Sequence, residues 1–222
     1  MLNNVFEIIS VTVSIIAFLF GAFTLLKKDT HLYFKLNVCA VGCYALEEVW
    51  VLVNTFFGEN GNMISIRLIA LFGCLCFFYS ASARCLDEIV DTDKKTNKTA
   101  RLAGIIMPVV LLGIYADFAV LSESVTTFIK VLIFIAMLPA IISSYFNLKH
   151  LMMKKSTSKY LAAAKPVCVV TLVFFIIMFT YMVPQVTRSG LIKLEILDAV
   201  SACIFALIII LCVRGAKKWK TL

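Results

Sequence analysis

The feature that most constrains this chain is a series of apolar stretches, each about twenty residues or longer, repeated from one end to the other. Crossing the ~30 Å hydrocarbon core of a bilayer takes ~20 helical residues. Residues 4–26, 33–57, 64–84, 102–121, 125–148, 160–183 and 191–213 each meet that requirement. Short polar turns separate them, Gly58-Glu59-Asn60-Gly61-Asn62 being the clearest. Hydrocarbon offers backbone amides no water, so runs of this length fold as helices that satisfy their own hydrogen bonds. The expectation is an all-α polytopic membrane protein, a single seven-helix transmembrane domain over residues 1–222. Composition points the same way: 62% hydrophobic and 15% charged residues, with a mean hydropathy of +0.99, do not suit a water-soluble domain. The first run lacks the basic start and small-residue cleavage site of a signal peptide, so it counts as a span. Pro108 is an expected kink in the fourth.

A net charge of +8 would suggest nucleic acid in a soluble chain, but the distribution of the basic residues gives another reason. With the C-terminus inside, seventeen of the twenty-one basic residues fall on the cytoplasmic side, leaving Arg67, Lys130, Arg188 and Lys193. That bias orients the chain N-terminus outside, C-terminus inside, in the cell membrane, with lipid rather than nucleic acid as its basic-face partner. The Asn97-Lys98-Thr99 sequon then lies inside and stays unmodified. Trp219 reads as an interfacial anchor, and His31 and His150 as inner-surface residues.

Eight cysteines lie within or at the ends of spans, so a disulfide-stapled ectodomain is not expected. No cysteine–histidine spacing suits zinc, and there is no nucleotide loop, H-E-x-x-H helix or serine elbow. Neither enzyme activity nor a metal or cofactor is expected.

Charges inside spans are costly and generally face a cavity, a relay or a partner. Glu47 and Glu48 sit inside the run AVGCYALEEVWVLV, ~13–15 Å below the outer end of the second span. Arg67, Asp117, Lys130, Asp198, Glu7 and Glu195 also fall in the outer half of their spans, whereas the inner halves of the last three spans carry almost no charge. This asymmetry predicts a polar outer-half pocket above an apolar plug. Its expected ligand-binding residues are Glu47, Glu48, Trp50, Tyr44, Arg67, Lys130 and Asp198. Acids outnumber bases there, so one carboxylate is expected to be protonated or to await a cationic ligand. Ion pairs that merely lock helices together are the structural alternative.

The residues LNVCAVGCYALEEVWVLVN followed by SIRLIALFGCLCFFYSAS resemble the seven-helix sensor regions of bacterial membrane histidine kinases and diguanylate cyclases. The resemblance implies a receptor-like module that binds a small extracellular ligand and signals through a cytoplasmic partner. Leu197-Asp198-Ala199-Val200-Ser201-Ala202 is similar to the seventh helix of microbial rhodopsins, with Ala202 where the retinal-bearing lysine stands in that family. Pro184-Gln185 resembles the PQ-loop pair of small sugar carriers, present once here. Two further functions fit the residues: a small-solute transporter or the substrate-binding membrane subunit of a multi-subunit importer, because buried acids near the midplane suit cation or proton coupling, and a structural or assembly membrane protein.

Overall fold

The computed structural model describes residues 2–57, 63–91, 97–123, 125–153, 159–181 and 194–221, with side chains at 5–54, 68–91, 97–123, 125–153, 160–180 and 196–221. Arg67, Tyr181, Glu195 and the Pro184-Gln185 pair lie outside the described side chains. Every regular element among the described residues is helical. Seven helices are long and apolar enough to cross a membrane: Val5–Leu25, Leu32–Asn54, Leu68–Val90, Lys98–Leu121, Thr127–Met152, Tyr160–Thr180 and Ile196–Lys220. Large apolar side chains such as Ile16, Phe23, Leu46, Ile69, Val120 and Phe128 stand exposed around them. A water-soluble protein seldom presents that much apolar surface, whereas hydrocarbon covers it without cost. The chain is a multi-pass membrane protein.

The spans close into a ring in the order first, second, third, fifth, sixth, seventh and back to the first, and the fourth packs outside against the fifth. Aromatic rings fill the centre. Tyr44 stacks on Phe205 at 4.1 Å, and Phe174 meets Phe205 edge-on at 4.7 Å. Phe78 packs against Phe205, Phe174 and Phe175 at about 6 Å. Close approaches between helices use glycine, as membrane bundles commonly do. A Cβ on Gly215 would stand 2.9 Å from the Ala163 carbonyl oxygen and from the Phe34 ring.

The third and seventh spans run furthest past the sequence reading, and the fourth, from Lys98, and the fifth, to Met152, also extend beyond it. The third span does not stop near Arg84. Its α-helix Met63–Tyr79 widens into a π-helix, Ser80–Leu86, and then tightens into a last α-turn, Asp87–Val90. Ser82 supports the widening by donating its hydroxyl to the Phe78 carbonyl at 2.9 Å, while lying 2.9 Å from the Ser143 hydroxyl of the fifth span. The seventh helix, Leu194–Lys220, continues seven residues past the expected limit at 213. Lys217, Lys218 and Lys220 in its last turn face the negative end of the helix dipole, a favourable placement. Within the fourth span the helix breaks at Ile105, between Lys98–Gly104 and Ile106–Leu121. Pro108 explains the break, because it has no N–H to offer the Gly104 carbonyl.

Candidate functional site

The first, second and seventh spans bring the polar groups together at the end of the bundle where the chain begins. On the second span, Tyr44 and Glu48 are four residues apart and share a face, whereas Glu47 points about 100° away. Both glutamates are 3% exposed. Ser10 of the first span donates its hydroxyl to Glu48 Oε2 at 2.8 Å and lies 3.3 Å from the Asp198 carbonyl oxygen. The Tyr44 hydroxyl donates to that same carbonyl at 3.2 Å. Among the described residues, the buried Glu48 Oε1 has no hydrogen-bond partner and no cation pairs with the carboxylate. A carboxylate removed from water is stable only if it is neutralised by a proton or met by a positive group. Here a carboxyl, a hydroxyl and a backbone carbonyl present oxygen to one small region, the donor chemistry that suits an ammonium group or a hard cation. Below it, the Tyr44–Phe205 stack closes the bundle with aromatic carbon.

The other expected site residues distribute as follows. Asp198 contributes its backbone carbonyl, and its side chain is half-buried. Trp50 is half-buried on the second span, and its buried indole N–H has no acceptor among the described residues. Lys130 is engaged elsewhere. Its ammonium donates to the Ala119 carbonyl at 2.6 Å, while its own carbonyl accepts from the Tyr115 hydroxyl at 2.6 Å. It thereby joins the fourth span to the fifth, beyond the ring that holds the glutamates. Asp117 is exposed. All eight cysteines are free thiols, and among the described residues no group of three or more His, Cys, Asp or Glu is placed to hold a metal.

A second polar cluster, which hydropathy alone does not reveal, lies at the opposite end. Asp87 and Asp91 end the widened third span one turn apart. The Lys149 ammonium bridges them, pairing with Asp87 Oδ1 and, at 2.9 Å, with Asp91 Oδ2. His150 Nε2 lies 2.9 Å from Asp87 Oδ1, and Arg101 donates from both Nε and Nη2 to Asp91 Oδ2 at 3.0 and 2.6 Å. Asn97, the sequon residue, is itself buried and donates to Asp91 Oδ1 at 2.9 Å. Burial pushes the Asp91 carboxyl up, but hydrogen bonds from Lys149, Asn97 and Arg101 outweigh it and hold the group down at about 2. His150, expected at the surface, is completely buried. The available signal was the Asp87-x-x-x-Asp91 spacing, which places two acids on one helix face.

No protein-family model, curated protein or solved structure matches this chain. Fold and chemistry together therefore define its class, a seven-span membrane protein with one buried acidic cluster and one ion-paired cluster at opposite ends of the bundle.

Proposed function

We propose that this protein is a receptor-like sensory module of the cell membrane, with its N-terminus outside, which binds a small cationic ligand at Glu48. The observation that carries this reading is the Glu48 carboxyl, buried among three spans with Oε2 held by Ser10 and Oε1 without a partner among the described residues. Ser10, Tyr44 and the Asp198 carbonyl orient the site, with Glu47 and Trp50 on the same helix as neighbouring contacts. The orientation rests on the basic residues gathered at the opposite end, following the positive-inside bias.

A ligand seated at Glu48 has a direct route to a response. It would change how the first and seventh spans sit on the second, and the third span packs beside the second. The π-helix of the third span leads straight to the Asp87–Lys149 cluster. π-Helical segments are commonly found at functional sites and offer an alternative register, so this element is suited to a two-state shift read by a cytoplasmic partner.

The test combines binding with flux. Purified protein in proteoliposomes is offered organic amines and alkali cations on the outer side. Saturable binding that is abolished by Glu48→Gln, without accumulation inside, supports the sensor. Concentrative uptake that is abolished by the same substitution would replace it with a transporter.

A further inference from the structure

At the end of the bundle opposite Glu48, a cavity of about 220 Å³ opens between the loop joining the first two spans and the last turn of the seventh. We infer that this cavity is a binding site for a phosphate-bearing anion at the depth of the lipid headgroups. Lys28 and Lys220 stand on its rim and Trp219, His31 and Phe34 form its wall.

The wall is built before any ligand arrives. The Trp219 indole stacks on His31 with ring centres 4.7 Å apart, packs against Tyr160 at 4.6 Å and meets Phe34 edge-on at 5.4 Å. His31 is held as well, because its Nδ1 accepts the Tyr33 amide at 3.2 Å. With Nδ1 acting as acceptor, the ring proton of a neutral histidine sits on Nε2 and remains available as a donor. Burial lowers the His31 pKa, which favours that neutral form.

The rim is positive. Lys28 and Lys220 are both exposed, and neither makes an ion pair among the described residues. Asp29 is the one acid on the lining. The Lys35 ammonium reaches the Lys28 carbonyl at 3.4 Å, and Lys217 and Lys218 precede Lys220 on the same turn, so positive charge outweighs that acid. Size restricts the occupant. Drug-sized ligands occupy ~300–1,000 Å³, and a water claims ~30 Å³, so this space suits a phosphate with a few waters rather than a nucleotide. Position favours a lipid phosphate, since the cavity lies just past the span limits at Leu25 and Leu32, where tryptophan ordinarily marks the interface.

Trp219 supplies the readout, because the chain has only one other tryptophan, Trp50. The full chain carrying Trp50→Phe is placed in phosphatidylcholine nanodiscs, and its emission is followed as phosphatidylglycerol replaces the neutral lipid. Inorganic phosphate is titrated in a parallel series. The expected result is a saturable change in Trp219 emission, weakened about tenfold or more by Lys28→Gln with Lys220→Gln, since each lost charged hydrogen bond is worth roughly a factor of ten. Lys217→Gln with Lys218→Gln removes the same charge and should leave the response nearly intact. A response to phosphatidylglycerol alone identifies the lipid headgroup, and a response to inorganic phosphate in neutral discs identifies the free anion. Silence toward both probes overturns the inference, and so does equal weakening by the two lysine pairs, because that pattern belongs to diffuse surface charge.

Discussion

Glu47 and Glu48 are neighbours in sequence, yet helix geometry sends them into different surroundings. Glu48 shares its face with Tyr44 and meets Ser10 across the first span, so its neutral isostere should fit the same space. Glu48→Gln is expected to assemble normally, with stability within about 1 kcal/mol of the parent, because an amide oxygen still accepts from Ser10. Ser10→Ala removes the hydroxyl that donates to the buried Glu48 Oε2 and should cost about 1–3 kcal/mol in detergent unfolding. Asp91 behaves differently, because its charge is paired. Its pKa falls on folding, from the ordinary 3.8 to about 2, so its contribution is complete above about pH 4 and disappears as the pH drops toward 2. Unfolding measured across that range should show a larger loss in the parent than in Asp91→Asn, where Asp87 still pairs with Lys149. The same variant leaves Arg101 without its carboxylate, while Lys149 keeps Asp87, and should be destabilised at neutral pH. A flat stability profile in the parent would refute the assignment.

At the scale of elements, the third span carries the most specific claim. A π-helix holds one residue more than an α-helix would need over the same length. Deleting Ala83 should restore α geometry and turn Asp87 and Asp91 about 100° away from Lys149, which breaks the cluster. The measurable outcome is a loss of stability similar to that of Asp91→Asn, with no further loss when the two changes are combined. Full additivity would show that the π segment does not set the register of the acids. Span packing offers a simpler check. Gly215→Ala places a Cβ 2.9 Å from the Ala163 backbone oxygen, which cannot swing aside as a side chain can. A cost of about 1–3 kcal/mol is expected.

These elements also show what hydropathy could and could not reveal. Seven spans were legible because twenty apolar residues have few other fates, and Pro108 marked its own break. The ends of the third and seventh spans were not legible. Asp87, Asp91 and the terminal lysines look like loop residues until the tertiary partners that let a helix continue through them are known. The apolar environment exposed Glu48 as soon as it was read. Ser10 gave no such signal, because a hydroxyl in a span can always bond its own helix, as Ser14 does to the Ser10 carbonyl at 2.8 Å. The burial of His150 is hidden in the sequence for a related reason: its partner Asp87 lies sixty-three residues away.

For the whole molecule, the two polar clusters differ in how their charge is met. One end holds a buried acid without a described cation, and the other holds acids saturated with cations. An aromatic core built on Phe78, Phe174 and Phe205 separates them. In the proposed orientation the unsaturated end faces outward, where a ligand arrives, and the saturated end faces a signalling partner. The measurement that tests this most directly is the melting temperature of the purified full chain against a panel of monovalent cations and small organic amines, with the parent and Glu48→Gln run side by side. The account predicts that at least one cation raises the parent's melting temperature in a saturable way and leaves Glu48→Gln unmoved. A panel that stabilises neither protein, or stabilises both equally, would contradict it and leave Glu48 as a structural group.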